Sequence, residues 1–276
     1  MPASEKAPPV CNALWIGPTL GPVEAACLSS FVEAGHRVDL HVYDEPAGVP
    51  PCVRLVDAAL TLPRYQLVRH RKTGSYSLVS NRFRYALMAA GRGLWIDSDV
   101  VCLRAIEDRP YIFGREDDST INGAVLKLPS NAAVLEDLLG VFEKHRWVPP
   151  WTRGRKRLQY RLLYRLGGRF GLADMPWGTA GPRALTYYLA RHGLSGHATP
   201  PHILYPVGPN ETDLLLRPDA AVLRSRIKPD TLCMHLWSKL RAETGPASRG
   251  SLVSRLADGS WRQALGLADP APPMAQ

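Results

Sequence analysis

Asp97 and Asp99, on either side of Ser98, are two carboxylates one residue apart directly after the apolar run Leu94-Trp95-Ile96. A buried strand that breaks into a loop at this point delivers both side chains to one place. In open α/β sheets, ligands bind at the C-terminal ends of the strands. Mg²⁺ or Mn²⁺ accepts carboxylate oxygens and keeps its other positions for phosphate oxygens and water. Such an ion neutralises charge as a nucleoside diphosphate departs. An acidic pair alone is most often a solvated turn, so its surroundings decide between the two readings.

A helix is predicted over 80–90, with Ser80 as its N-cap and Gly91-Arg92-Gly93 as its end. Asn81 and Arg84 fall at i and i+3 on one face of it. Arg84 suits a donor phosphate or a sugar hydroxyl, and Asn81 suits a hydroxyl. The plainer readings are a surface ion pair for Arg84 and a helix-start residue for Asn81.

The elements that must position these groups begin with a strand at 12–17, a helix at 24–33 and an alternating strand at 37–43. This β-α-β opening predicts an α/β sheet with parallel strands. Strands at 111–113 and 121–128 follow, then helices at 131–144 and 182–191, the latter with Pro182 in its first turn. A late strand at 233–237 carries His235. A linker at 245–250 leads to an amphipathic helix over 251–265, and 1–11 reads as a loose tail.

The 276 residues are 45% hydrophobic and 21% charged, which predicts a globular protein with a full core. No apolar run nears the ~20 residues a membrane-spanning helix needs, and the N-terminus lacks the pattern of a signal peptide. The expected location is the cytoplasm. Five scattered cysteines argue against a disulfide framework or a structural zinc site. The net charge is +9, yet 146–170 alone holds eight Lys/Arg and no acid. Charge confined in this way predicts a local docking surface and no nucleic-acid partner. Within it, Arg157, Arg161 and Arg165 form one stripe beside a second of Leu158, Leu162 and Leu166, widened by Leu163 and Tyr164. A basic amphipathic helix over 153–170 suits peripheral contact with the anionic inner leaflet and a lipid-linked or lipopolysaccharide-type acceptor. The plainer reading is a solvated helix packing its leucines on the domain.

The run Ser80-Asn81-Arg82-Phe83-Arg84, continued by Gly91-Arg92-Gly93-Leu94-Trp95-Ile96-Asp97-Ser98-Asp99, resembles the DxD region of a retaining glycosyltransferase superfamily with the GT-A fold. That group includes clostridial glucosylating toxins, initiating mannosyltransferases and α-1,4-galactosyltransferases. Leu14-Trp15-Ile16-Gly17 is similar to its opening strand, Ile121-Asn122-Gly123-Ala124 to the stretch behind its sugar pocket, and Gly181-Pro182 to a helix start of the galactosyltransferase branch. His235-Leu236-Trp237-Ser238-Lys239 resembles its closing segment. The resemblance spans about residues 12–240 and implies one GT-A-like domain over 12–243, with a nucleotide-sugar half at 12–128 and an acceptor half at 129–243. It also implies an enzyme that moves a hexose from a nucleotide-sugar, a UDP-sugar by preference, to a glycan or lipid-linked acceptor with retention. Asp97, Asp99 and Arg84 would be catalytic. The donor would be bound by Trp15 stacked on the base, by Gly17, Ser80, Asn81, Arg84, Trp95, Ser98, Asn122 and Trp237, and by Lys239 on the diphosphate. Mn²⁺ or Mg²⁺ would sit on Asp97 and Asp99. For His235 two readings stand, a metal ligand or a core strand histidine.

The chain departs from the pattern where Asn81 replaces the family's aspartate, which removes an anionic acceptor for sugar hydroxyls. The residues leave two rival readings. One is a haloacid-dehalogenase-type phosphatase with Asp97 as nucleophile, though no late acidic pair follows a buried strand. The other is a basic, non-enzymatic binding module.

Overall fold

The computed structural model describes residues 7–144, 146–166 and 170–268, with the backbone alone of Lys239. The expected Lys239 contact and residues 167–169 of the basic helix therefore lie outside the described residues. The chain opens with β1 (Cys11–Trp15), α1 (Pro22–Glu33), β2 (Val38–Val42) and β3 (Arg54–Asp57). Next come α2 (Ser77–Ala89), β4 (Leu94–Ile96), β5 (Val100–Cys102), β6 (Ile112–Arg115) and β7 (Ile121–Lys127). The second half is helical, with α3 (Val134–Gly140), α4 (Gly154–Arg165), α5 (Ala184–Arg191), α6 (Pro201–Leu204) and α7 (Ala221–Arg226). β8 (Cys233–His235), α8 (Ser238–Thr244), α9 (Leu252–Ala257) and α10 (Trp261–Leu265) complete it.

Six strands form one mixed sheet in the order β3-β2-β1-β4-β7-β6. The pairings from β3 through β4 are parallel, whereas β7 runs antiparallel to both β4 and β6. Parallel strands inside a sheet are covered on both faces, so β2, β4 and most of β1 are buried. One core cluster gathers α2, β7, α3 and α5, and another gathers β1, β2, β4 and α1.

A small second sheet pairs β5 with β8, matching Val100 with His235 and Cys102 with Cys233. The terminal helix expected after the linker packs into the core here, while 245–250 stay at the surface. Leu252, Val253, Leu256, Trp261 and Leu265 are buried in one cluster with Cys27 of α1 and Val101 of β5. It forms two short helices because Gly259, at φ 81°, turns the chain between them.

The bounds of α2 and α3 depart from expectation. α2 starts at Ser77, so Ser80 lies inside it and caps nothing; its Oγ accepts instead from Arg84 Nη2 at 3.3 Å. α3 is shorter than the predicted 131–144 because the residues on either side close as i→i+3 turns. The turn from α2 into β4 needs both of its glycines. Gly91 and Gly93 have φ of 66° and 96°, and a Cβ on Gly93 would stand 2.5 Å from the Val10 carbonyl oxygen.

Asn12 locks that turn to the sheet. Its Nδ2 donates to the Arg92 carbonyl at 2.6 Å, and its Oδ1 lies 3.0 Å from His41 Nε2. Because Oδ1 can only accept, His41 carries its proton on Nε2. His41 Nδ1 is buried without a partner among the described residues, so protonating it would bury an unpaired charge. Burial accordingly lowers the His41 pKa to about 4. The unfolded chain, with histidine near its ordinary value, binds that proton first as pH falls. Stability from His41 is therefore full above about pH 6.5 and is lost toward pH 4, by roughly 3 kcal/mol. Urea-denaturation midpoints measured from pH 7 to pH 4.5 should fall, and His41→Gln should flatten much of that slope. His36, lowered by burial as well, carries part of the remainder. An identical slope in His41→Gln would contradict this assignment.

Candidate metal and donor site

β4 ends in the centre of the sheet, and its last peptide is fixed across the ladder by Asp97 N–H donating to the Ala124 carbonyl at 2.7 Å. The Asp97 side chain is held through one oxygen. Oδ1 accepts from Arg84 Nη2 at 2.8 Å and from Trp95 Nε1 at 2.7 Å. Oδ2 has no hydrogen-bond partner among the described residues.

Arg84 is 6% exposed, too buried for the surface ion pair of the plainer reading. Its Nη1 donates to the Gly123 carbonyl at 2.5 Å, and its guanidinium lies 5.1 Å from the centroid of the Trp95 ring. Gly123 is required there, since a Cβ would come within 2.8 Å of Nη1. The charge of Arg84 is thus committed to orienting Asp97. Trp95 is 1% exposed, and its N–H does the same from the other side.

Asp99 is held from the far end of the chain. The β5–β8 pairing brings in His235, whose Nε2 lies 3.2 Å from Asp99 Oδ1. Trp237, at φ 50°, bends the backbone so that Ser238 N–H, at the start of α8, donates to Asp99 Oδ2 at 2.8 Å. Burial alone would raise the Asp99 carboxyl, but the His235 charge, its hydrogen bond and the Ser238 N–H hold it well below the usual carboxylate range. Burial opposes charge on His235 too, and the facing carboxylates of Asp99, Asp97 and Glu116 outweigh it and raise the imidazole. His235 Nδ1 is buried without a partner among the described residues.

One ligand atom each from Asp97, Asp99 and His235 lie within 4.8 Å of one another. Two oxygens and a nitrogen at that spread fit the donor set of a single divalent cation of the Mn²⁺ type. His235 is a buried residue of β8 that faces the Asp99 carboxylate, which accords with a core strand histidine and with a metal ligand alike.

Two cavities meet at the acidic pair. The larger, about 560 Å³, is walled by Leu14, Trp15, Ile16, Trp95 and Ser98. The smaller, about 210 Å³, is lined by Asn81, Arg84, Glu116, Asn122, His235 and Trp237. Ser80, Asp97, Asp99 and Trp177 border both. Trp15 Nε1 is buried without a partner among the described residues, and Gly17 follows beside that ring. Gly181 leaves room for Asn81, because a Cβ would sit 3.0 Å from both atoms of its amide. The Trp237 ring is tilted by 41° against that of His235, with centroids 4.1 Å apart, and donates Nε1 to the Val207 carbonyl at 2.9 Å.

Glu116 is the site residue that the sequence hid. It lies directly after β6 in the run Glu116-Asp117-Asp118, which reads as a solvated turn, and Asp117 does cap the Ser119 and Thr120 amides. Glu116 instead turns inward, where its Oε2 accepts from Asn122 Nδ2 at 2.6 Å. Burial raises its pKa. The only hint in the sequence is its place at a strand end, beside the strand that carries Asn122.

No protein-family model matches this chain, and no curated protein matches it. Among solved structures it is similar to one described as "PaToxG Glycosyltransferase", with 11% identity, 95% of this chain and 88% of that chain covered, and a TM-score of 0.38.

Proposed function

We propose that this chain is a metal-dependent glycosyltransferase of GT-A-like architecture that moves a hexose from a nucleotide-sugar, a UDP-sugar by preference, to a hydroxyl acceptor with retention of configuration. The observation that carries this reading is the Asp97–Asp99–His235 cluster at the junction of two cavities with different walls. A nucleotide needs an aromatic wall and a sugar needs convergent hydrogen-bonding groups. A diphosphate between them needs cationic neutralisation.

In this reading the base lies against the Trp15 ring on the wall of the larger cavity. The sugar enters the smaller cavity among Asn81, Glu116 and Asn122. Asn81 lacks the anionic acceptor common in the resembled family, and Glu116 supplies one from the facing strand. Mn²⁺ or Mg²⁺ bound to Asp97, Asp99 and His235 would neutralise charge on the diphosphate. Arg84 and Trp95 fix Asp97 Oδ1 and leave Oδ2 toward that position. The Ser238 N–H fixes Asp99 through Oδ2. The acceptor is a glycan or lipid-linked hydroxyl that approaches the anomeric carbon as the diphosphate leaves.

The phosphatase reading needs a late acidic pair after a buried strand, and β8 is followed there by Leu236-Trp237-Ser238.

A nucleotide-sugar panel with Mn²⁺, scored by nucleotide release, tests the proposal. One donor should turn over, and EDTA should stop it. Asp99→Asn should lower turnover at least about a hundredfold through loss of charge stabilisation. Wild-type-like turnover in Asp99→Asn would end this reading. Glu116→Gln should lower kcat/KM for the donor by about tenfold or more and leave Mn²⁺ affinity unchanged. A Glu116→Gln enzyme with unaltered donor kinetics would remove Glu116 from the sugar site.

A further inference from the structure

The arginine-leucine segment meets its two readings at α4. The helix is anchored by its tyrosines: Tyr160 and Tyr164 are buried with Met175 and pack on Phe170 at centroid distances of 5.0 and 5.6 Å. Tyr164 also donates its hydroxyl to the Trp147 carbonyl at 2.7 Å. Leu158, Leu162 and Leu166 point the other way and are 69%, 54% and 74% exposed. The reading in which these leucines pack on the domain is therefore set aside. Three exposed leucines at i, i+4 and i+8 form one apolar stripe along the helix.

The stripe is framed by cations. Arg146, Arg157, Arg161 and Arg165 line a single groove of about 590 Å³ together with Leu158 and Leu162. Among the described residues no carboxylate lies within ion-pair distance of any of these four guanidiniums. No acid occurs between 146 and 170, so the surface attracts anions with nothing internal to satisfy it.

We infer that α4 seats the protein on an anionic lipid surface, with the arginines on headgroup phosphates and the leucines in the acyl boundary. Charge complementarity selects an anionic partner. The leucine stripe selects a bilayer over a soluble polyanion, because a phosphate backbone gives exposed leucines nothing to enter. Among the described residues no helix is long and apolar enough to cross a membrane, so this contact is peripheral. It also lies near the donor site, since Met175, packed on both tyrosines, is two residues before Trp177 on the cavity wall. A lipid-linked acceptor would thus be presented beside the sugar cavity.

The test is cosedimentation of the full chain with phosphatidylglycerol-containing vesicles and with pure phosphatidylcholine vesicles at low salt. Wild type should bind the anionic vesicles alone and release them as salt rises. The triple variant Arg157→Gln, Arg161→Gln, Arg165→Gln should bind about a hundredfold more weakly. The triple variant Leu158→Ser, Leu162→Ser, Leu166→Ser should lose about tenfold or more at unchanged charge. Equal binding of wild type to both vesicle types, or absence from both, overturns the proposal. So does a leucine variant that binds as tightly as wild type, which would mark a surface for polyanions in general. All six positions are outside the tyrosine anchor. Should a variant fail to fold, the wild-type lipid and salt series still decides. The inference is independent of the transferase reading, because vesicle binding is measured without any donor.

Discussion

Two carboxylates and an imidazole must share a space in which their ligand atoms are at most 4.8 Å apart. At that distance two like charges repel by roughly 3 kcal/mol or more at an effective dielectric of about 20, and burial adds to the cost. The structure offsets it from both sides. Arg84 and Trp95 take one oxygen of Asp97, while His235 and the Ser238 amide take both oxygens of Asp99. Each helper then makes its own demand: room at Gly123 for the guanidinium, a positive φ at Trp237, and a late strand registered on β5. Much of the topology between α2 and α8 answers these demands.

The sheet places the groups that no single segment could supply. β1 and β4 are neighbouring parallel strands, so the loops at their C-terminal ends share one edge and bring Trp15 near Asp97. β6 and β7 add Glu116 and Asn122 on the other side. The resulting site has an aromatic lobe and a polar lobe with the charged pair between them, the order in which base, diphosphate and sugar follow one another in a donor.

Sequence revealed the parts that depend on local pattern. The apolar strand into Asp97-Ser98-Asp99, the helix bearing Asn81 and Arg84, and the strand bearing His235 all stand where spacing and hydrophobicity placed them. Partnerships were less legible. Nothing within ten residues of Arg84 shows that Gly123 and Asp97 will absorb its charge, or that Trp95, expected at the donor, will donate to Asp97. Ser80 resembles an N-cap because capping preference is local, whereas its use by Arg84 requires the turn beneath it. In α4 the leucine and tyrosine faces are both apolar by sequence. Which one packs was decided by Phe170 and Met175, aromatic and thioether partners that take the tyrosines. Glu116 was hidden because its neighbours make a solvated turn of the same composition.

The central claim is that Asp97, Asp99 and His235 together hold one divalent cation. Mn²⁺ titration followed by electron paramagnetic resonance, which reads free Mn²⁺ directly, tests it without a donor or an acceptor. The account predicts one site per chain in the wild type, with affinity about tenfold or more weaker in His235→Ala and in Asp99→Asn. Equal Mn²⁺ affinity in wild type and both variants would contradict it.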